Sequence, residues 1–125
     1  MQIRQTLIVT AIALGASTIA LGDGDHKPMY GGIVAVVKDV QYELVAKSDS
    51  VAVFILDHGK KVATKGATGK LTLLTGNDKS DIALVPVGEN GLEAKGTFKL
   101  PPGTKVVSTI TLEGKSAVSA RFEVR

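Results

Sequence analysis

The sequence predicts an all-β protein, an immunoglobulin-like antiparallel β-sandwich of seven or eight strands. Short runs rich in valine, isoleucine, leucine and threonine recur about every 8–12 residues from residue 30 onward, parted by turn residues. Several of these runs alternate apolar and polar side chains with the period of a strand. Beyond the first 22 residues, no stretch carries the stripe of an amphipathic helix. A five-stranded barrel of the oligonucleotide-binding type uses fewer strands than the sequence offers.

The elements follow in order. Tyr30 to Lys38 and Gln41 to Lys47 read as the first two strands, with Lys38-Asp39 as a tight turn. Val51 to Asp57 is nearly all apolar, as suits a central strand covered on both faces. His58-Gly59-Lys60 breaks it, with Gly59 free to adopt a positive φ angle. Leu71 to Thr75 ends at the cluster Gly76-Asn77-Asp78-Lys79. Ser80 to Pro86 alternates, with Ile82 and Leu84 on one face and Asp81 and Ala83 on the other. Gly88 to Gly91 is a turn, and Leu92 to Leu100 holds a short strand interrupted by Gly96. Pro101-Pro102-Gly103 stops the chain. Val106, Ile110 and Leu112 share one face of Lys105 to Glu113. After the Gly114-Lys115 turn, Val118, Ala120, Phe122 and Val124 line the inner face of the closing strand, and Ser119, Arg121 and Glu123 face water.

Residues 1–22 read as a cleaved signal peptide: Arg4 supplies the positive start, Leu7 to Leu14 the apolar stretch, and Ala20-Leu21-Gly22 the small-x-small cleavage pattern. Gly15, Ser17 and Thr18 interrupt the apolar run, which falls short of the roughly 20 residues of a spanning helix. No stable membrane insertion is therefore expected after cleavage, and the location is periplasmic or secreted. Residues 23–29 are polar and without period, a flexible arm, and 30–125 form the sandwich domain.

Of the 125 residues, 15 are basic and 12 acidic, a net charge of +3, and there is no cysteine or tryptophan. Disulfide frameworks, cysteine nucleophiles and thiolate metal clusters are excluded. Loss of residues 1–22 removes one basic residue, Arg4, and leaves +2, from 14 basic against 12 acidic residues. The lysines are scattered, and aromatics are only 4%, so no basic stripe with interleaved aromatics points to nucleic acid.

Catalytic patterns are equally absent. There is no G-x-S-x-G elbow, and Gly66-Ala-Thr-Gly69-Lys70 fails as a phosphate loop because Thr64 and Leu71 stand at two defining positions. Asp57 and Glu43 could serve acid–base chemistry as a pair, but nothing in the sequence brings them together. The chain reads as a non-enzyme.

Metal ligation is the better-supported chemistry. The only two histidines are His26 and His58. His26 and Met29 sit in the arm, Asp57 and His58 at a strand end, and an arm folded over the 57–59 turn would gather all four. Imidazole suits copper and zinc, and a thioether favours copper(I). Removal of residue 23 as well would leave Gly24-Asp25-His26, whose terminal amine, two amides and imidazole make a square-planar set for copper(II) or nickel(II). The competing reading makes His26 a tail residue, Met29 a small apolar plug and His58 a turn residue.

Three strings, His26-Lys-Pro-Met-Tyr-Gly-Gly32, Tyr42-Glu-Leu-Val-Ala46 and Asp57-His58-Gly-Lys60, resemble a group of small secreted proteobacterial proteins of uncharacterised role associated with heavy-metal efflux systems. Related stretches occur in the periplasmic adaptor subunits of those systems. The likeness continues through Leu84-x-Pro86-x-Gly88, Leu92-Glu-Ala-Lys-Gly96, Leu112-Glu-Gly-Lys115 and Ala120-Arg-Phe122. His58 matches the group's Asp-His-Gly turn, whereas Tyr30 stands where the group carries a histidine before the Gly-Gly pair. The resemblance implies a periplasmic protein that binds or buffers copper or zinc, with a heavy-metal efflux component as partner. The alternative, from a different class, is a metal-free interaction module of the bacterial envelope that docks through a sheet edge or face.

Overall fold

A computed structural model describes residues 26–125. The expected signal peptide, and residues 23–25 of the expected arm, lie outside the described residues. The described chain is built from nine antiparallel strands. They are β1 (Ile33–Val37), β2 (Val40–Lys47), β3 (Ser50–Asp57), β4 (Lys60–Lys61), β5 (Thr68–Thr75), β6 (Asp78–Val87), β7 (Gly91–Lys95), β8 (Lys105–Thr111) and β9 (Val118–Glu123). Eight follow one another in the hydrogen-bonded order β1-β2-β3-β7-β6-β5-β8-β9, and the two-residue β4 pairs with the end of β3. No helix among the described residues is long and apolar enough to cross a membrane.

Strand β6 makes this path into two facing leaves. Its first part, Asp78–Leu84, pairs with β5, and its last part, Val85–Val87, pairs with β7. One leaf is thus β1-β2-β3-β7 and the other β5-β8-β9 with the start of β6. Alternation along each strand turns one set of side chains to the space between the leaves. Tyr42, Leu44, Val51, Val53, Ile55 and Leu92 come from the first leaf, and Leu71, Leu84, Val106, Ile110, Ala120 and Phe122 from the second. Gly69 marks a close approach: a Cβ there would lie 3.2 Å from side-chain carbons of Leu92 and Ile110. The expected all-β antiparallel fold and its inward-facing residues are thereby borne out, with nine strands, one of them only two residues long, where seven or eight were expected; the end strands β1 and β9 lie close to each other, so the arrangement is sandwich-like and nearly closed.

The ends of several strands differ from the sequence reading. The first strand begins at Ile33 instead of Tyr30, because the backbone N–H groups of Met29, Tyr30 and Gly32 bond to a side chain. β5 starts earlier than Leu71, at Thr68, straight after the Gly66 turn. β7 stops at Lys95, where Gly96 takes φ +137°, and Phe98 then packs against the core without joining a ladder.

Two hairpin tips matter for the site. The β1–β2 turn, Lys38-Asp39, and the β3–β4 turn, His58-Gly59, carry positive φ at both central residues (50° and 68°, then 52° and 82°). This left-handed geometry matches the twist of paired strands, which is why two-residue turns adopt it. Val40 pairs with Asp57, so the register of β2 against β3 sets the two tips side by side at one end of the first leaf.

Candidate functional site: a cleft between two hairpin tips and the N-terminal strap

Strand β3 is covered on both faces, as its apolar run predicts. Val51, Val53 and Ile55 point into the core. On its outer face Phe54 lies under Tyr30, part of residues 27–32, which cross the outside of the first leaf as a strap. Four residues fasten that strap, Glu43, Gln41, Phe54 and Asn90. Glu43 on β2 has no solvent exposure, and its carboxylate accepts from the N–H of Met29 (2.7 Å, Oε1) and from those of Tyr30 and Gly32 (both 2.8 Å, Oε2). Gln41, two residues earlier on the same face, donates its side-chain N–H to the Lys27 carbonyl at 3.0 Å. The Tyr30 ring stacks on Phe54 with centroids 4.3 Å apart. Its hydroxyl accepts from Asn90 Nδ2 at 3.1 Å. A buried charge needs such compensation, and three amide donors supply it. At the end of the strap, a Cβ on Gly32 would collide with the Leu44 carbonyl oxygen, so only glycine fits there.

The arm expected over 23–29 is therefore anchored in its described part, through Lys27 and Met29. His26, half-buried, directly precedes the anchored residues. It borders a cleft of about 450 Å³ lined by His26, Asp39, Gln41, His58 and Gly59. The strap, the β1–β2 tip and the β3–β4 tip thus each supply a wall.

The four residues singled out from the sequence divide accordingly. His26 and His58 border the same cleft from distant parts of the chain. Asp57 acts on His58: its Oδ1 lies 2.6 Å from His58 Nδ1, with the two side chains 52% and 78% exposed. That contact engages Nδ1 of His58, the arrangement in which a carboxylate orients a ligating imidazole. Met29 stands apart. Its side chain is 65% exposed and absent from the cleft wall, and its contribution to the strap is its backbone N–H. Among the described residues, no three His, Cys, Asp or Glu side chains come close enough to hold one metal ion. The cleft therefore offers two imidazoles and the Asp39 carboxylate around an open space, without a closed ligand cage.

Asp39, Gln41 and Glu43 are the site residues that the spacing of histidines does not reveal. Gln41 and Glu43 share the outward face of β2, where the alternation places them in solvent, yet both are buried. The apolar run of β3, which calls for an outer cover, and the pair of polar residues flanking Tyr42 are the sequence signals for the strap. Glu43 and Asp57 do not form an acid–base pair, since each carboxylate has its own partner.

A scan against protein-family models finds no match for this chain, and searches of curated proteins and of solved structures find none either.

Proposed function

We propose that this is a non-enzymatic protein of the periplasm or the secreted fraction. It binds a transition metal, copper or zinc, in the cleft between the strap and the two hairpin tips, in connection with heavy-metal efflux. The observation that carries the reading is that the only two histidines border one cleft. His58 has Nδ1 engaged by Asp57, which leaves Nε2 for a ligand, and His26 borders the same cleft. Two imidazoles leave the remaining coordination positions to water or an acceptor's own ligand. Such an incomplete set suits a metal that is held and handed on. The periplasmic setting rests on the signal-like pattern of residues 1–22, and the efflux connection on the resemblance of the three strings described above.

The test is a titration with copper(I), copper(II) and zinc followed by native mass spectrometry, on wild-type protein and on His26→Ala and His58→Asn. Asparagine is chosen at 58 because it tolerates the positive φ of that turn. One metal per chain, lost in each variant, is the expected result; equal uptake by all three proteins would dismiss the site.

A further inference from the structure

We infer that the cleft takes a free amino acid, its ammonium end inward and its carboxylate end at the rim. The inference is independent of the metal reading, because it asks for no cation shared between the histidines. It starts from a buried polar side chain. Gln41 is 6% exposed, lines the cleft, and commits its Nε2 to the Lys27 carbonyl. Among the described residues no donor reaches its Oε1. A buried acceptor without a donor is costly, and a ligand N–H in the cleft supplies one.

Two other lining residues also bring acceptors. Asp39 carries a carboxylate. His58 has Nδ1 2.6 Å from Asp57 Oδ1; a carboxylate only accepts, so the proton of the neutral ring sits on Nδ1 and Nε2 is left as an acceptor. An ammonium group, with three donors on one nitrogen, answers such a set, and the Asp39 charge favours it over a neutral amide or hydroxyl. The space of about 450 Å³ falls in the range of small-molecule sites.

The rim has the opposite sign. Each wall carries an exposed lysine directly beside a lining residue: Lys27 next to His26, Lys38 next to Asp39 and Lys60 next to Gly59. None of the three forms an ion pair among the described residues, and the Asp57 carboxylate, opposite Lys60 in register, is engaged by His58. Three such lysines disfavour a polyamine, whose further charges would lie beside them, and favour a ligand with an anionic end. A small molecule with one ammonium and one carboxylate is an amino acid.

The test is a titration of the protein with each standard L-amino acid, in buffer holding a metal chelator, read by proton–nitrogen NMR up to millimolar ligand. The best binder is then compared with its N-acetyl derivative, which lacks the ammonium, and with its C-terminal amide, which lacks the carboxylate. Saturable shifts are expected at the amides of Asp39, Gln41, His58 and Gly59, and at the Gln41 side-chain NH2, whose carbonyl gains a donor. N-acetylation should weaken binding about tenfold or more, the loss of one charge-assisted hydrogen bond. Amidation should weaken it about two- to fivefold at low salt and less at high salt, as exposed charge pairs do. Asp39→Asn and His58→Asn, at exposed turn positions whose positive φ suits asparagine, should each weaken it about 5- to 10-fold. No saturable shift at these residues with any amino acid, undiminished binding in both variants, or equal binding of the acetylated or amidated form overturns the inference. Each of these results leaves the metal site as it stands, since no metal is present, and protein that takes up no zinc leaves the amino-acid site as it stands.

Discussion

Replacing Glu43 by glutamine tests how the strap is held. The carboxylate uses one oxygen for Met29 and the other for Tyr30 and Gly32. An amide can place its oxygen on the Tyr30 and Gly32 side, but its NH2 then meets the Met29 N–H donor to donor. One buried donor is left without a partner, at a cost of about 1–3 kcal/mol, and the two surviving bonds lose their charge assistance. The loss has a ceiling, because the strap can lift off while the sandwich stays folded, and the global effect cannot exceed what the strap contributes. A net destabilisation of about 2 kcal/mol is the expected result. For a domain of this size that lowers Tm by about 8–16 °C. Thermal unfolding followed by circular dichroism reads the first quantity, and amide exchange at Met29, Tyr30 and Gly32 reads the local one, with those amides exchanging faster than the β3 amides. A Tm shift below about 2 °C with unchanged protection would refute the reasoning, because three bonds to a buried charge could not then be replaced so cheaply.

Three further outcomes follow from the same geometry. Leu92→Ala empties a position with no exposure where the two leaves meet beside Gly69, and should cost about 2–5 kcal/mol in urea unfolding. Burial pushes the Tyr42 phenol above its ordinary value of 10.0. Above that pH the unfolded chain releases a proton that the folded one keeps, so stability is full below it and falls as pH climbs; Tyr42→Phe should flatten this fall in urea titrations between about pH 9 and 11. Asp57→Asn should weaken zinc binding about 10- to 100-fold with little change in Tm, since it unfastens an exposed imidazole and touches no core residue.

The sandwich was legible because its information is local. Alternation in Ser80–Pro86, Lys105–Glu113 and Val118–Val124 fixes which side chains point inward, and Lys38-Asp39, Gly59 and Gly76-Asn77 mark the reversals. The continuous apolar run of β3 even announced a cover on its outer face, but not what supplies it. That cover is the strap, and local pattern reads it as free arm because its fastenings join residues 11 to 14 positions apart through Glu43 and Gln41. The same contacts explain the late start of β1, since amides bonded to a carboxylate cannot enter a ladder. For the site, residue chemistry singled out His26, Asp57 and His58, and the register of β2 on β3 places His58 beside Asp39. Met29 was misleading: a thioether in the arm suggests copper(I), but the backbone turns its side chain to solvent while its N–H goes to Glu43.

The proposed shared role of the two histidines is most directly read from the ring nitrogens themselves. The only imidazoles are those of His26 and His58, so a long-range proton–nitrogen NMR spectrum of the histidine rings holds two sets of signals. With one equivalent of zinc, a nitrogen of each ring should shift together and saturate at the same stoichiometry, with Nε2 of His58 as the ligating atom and Nδ1 still bonded to Asp57. Zinc that moves one ring alone, or neither, would contradict a metal site built from both walls of the cleft.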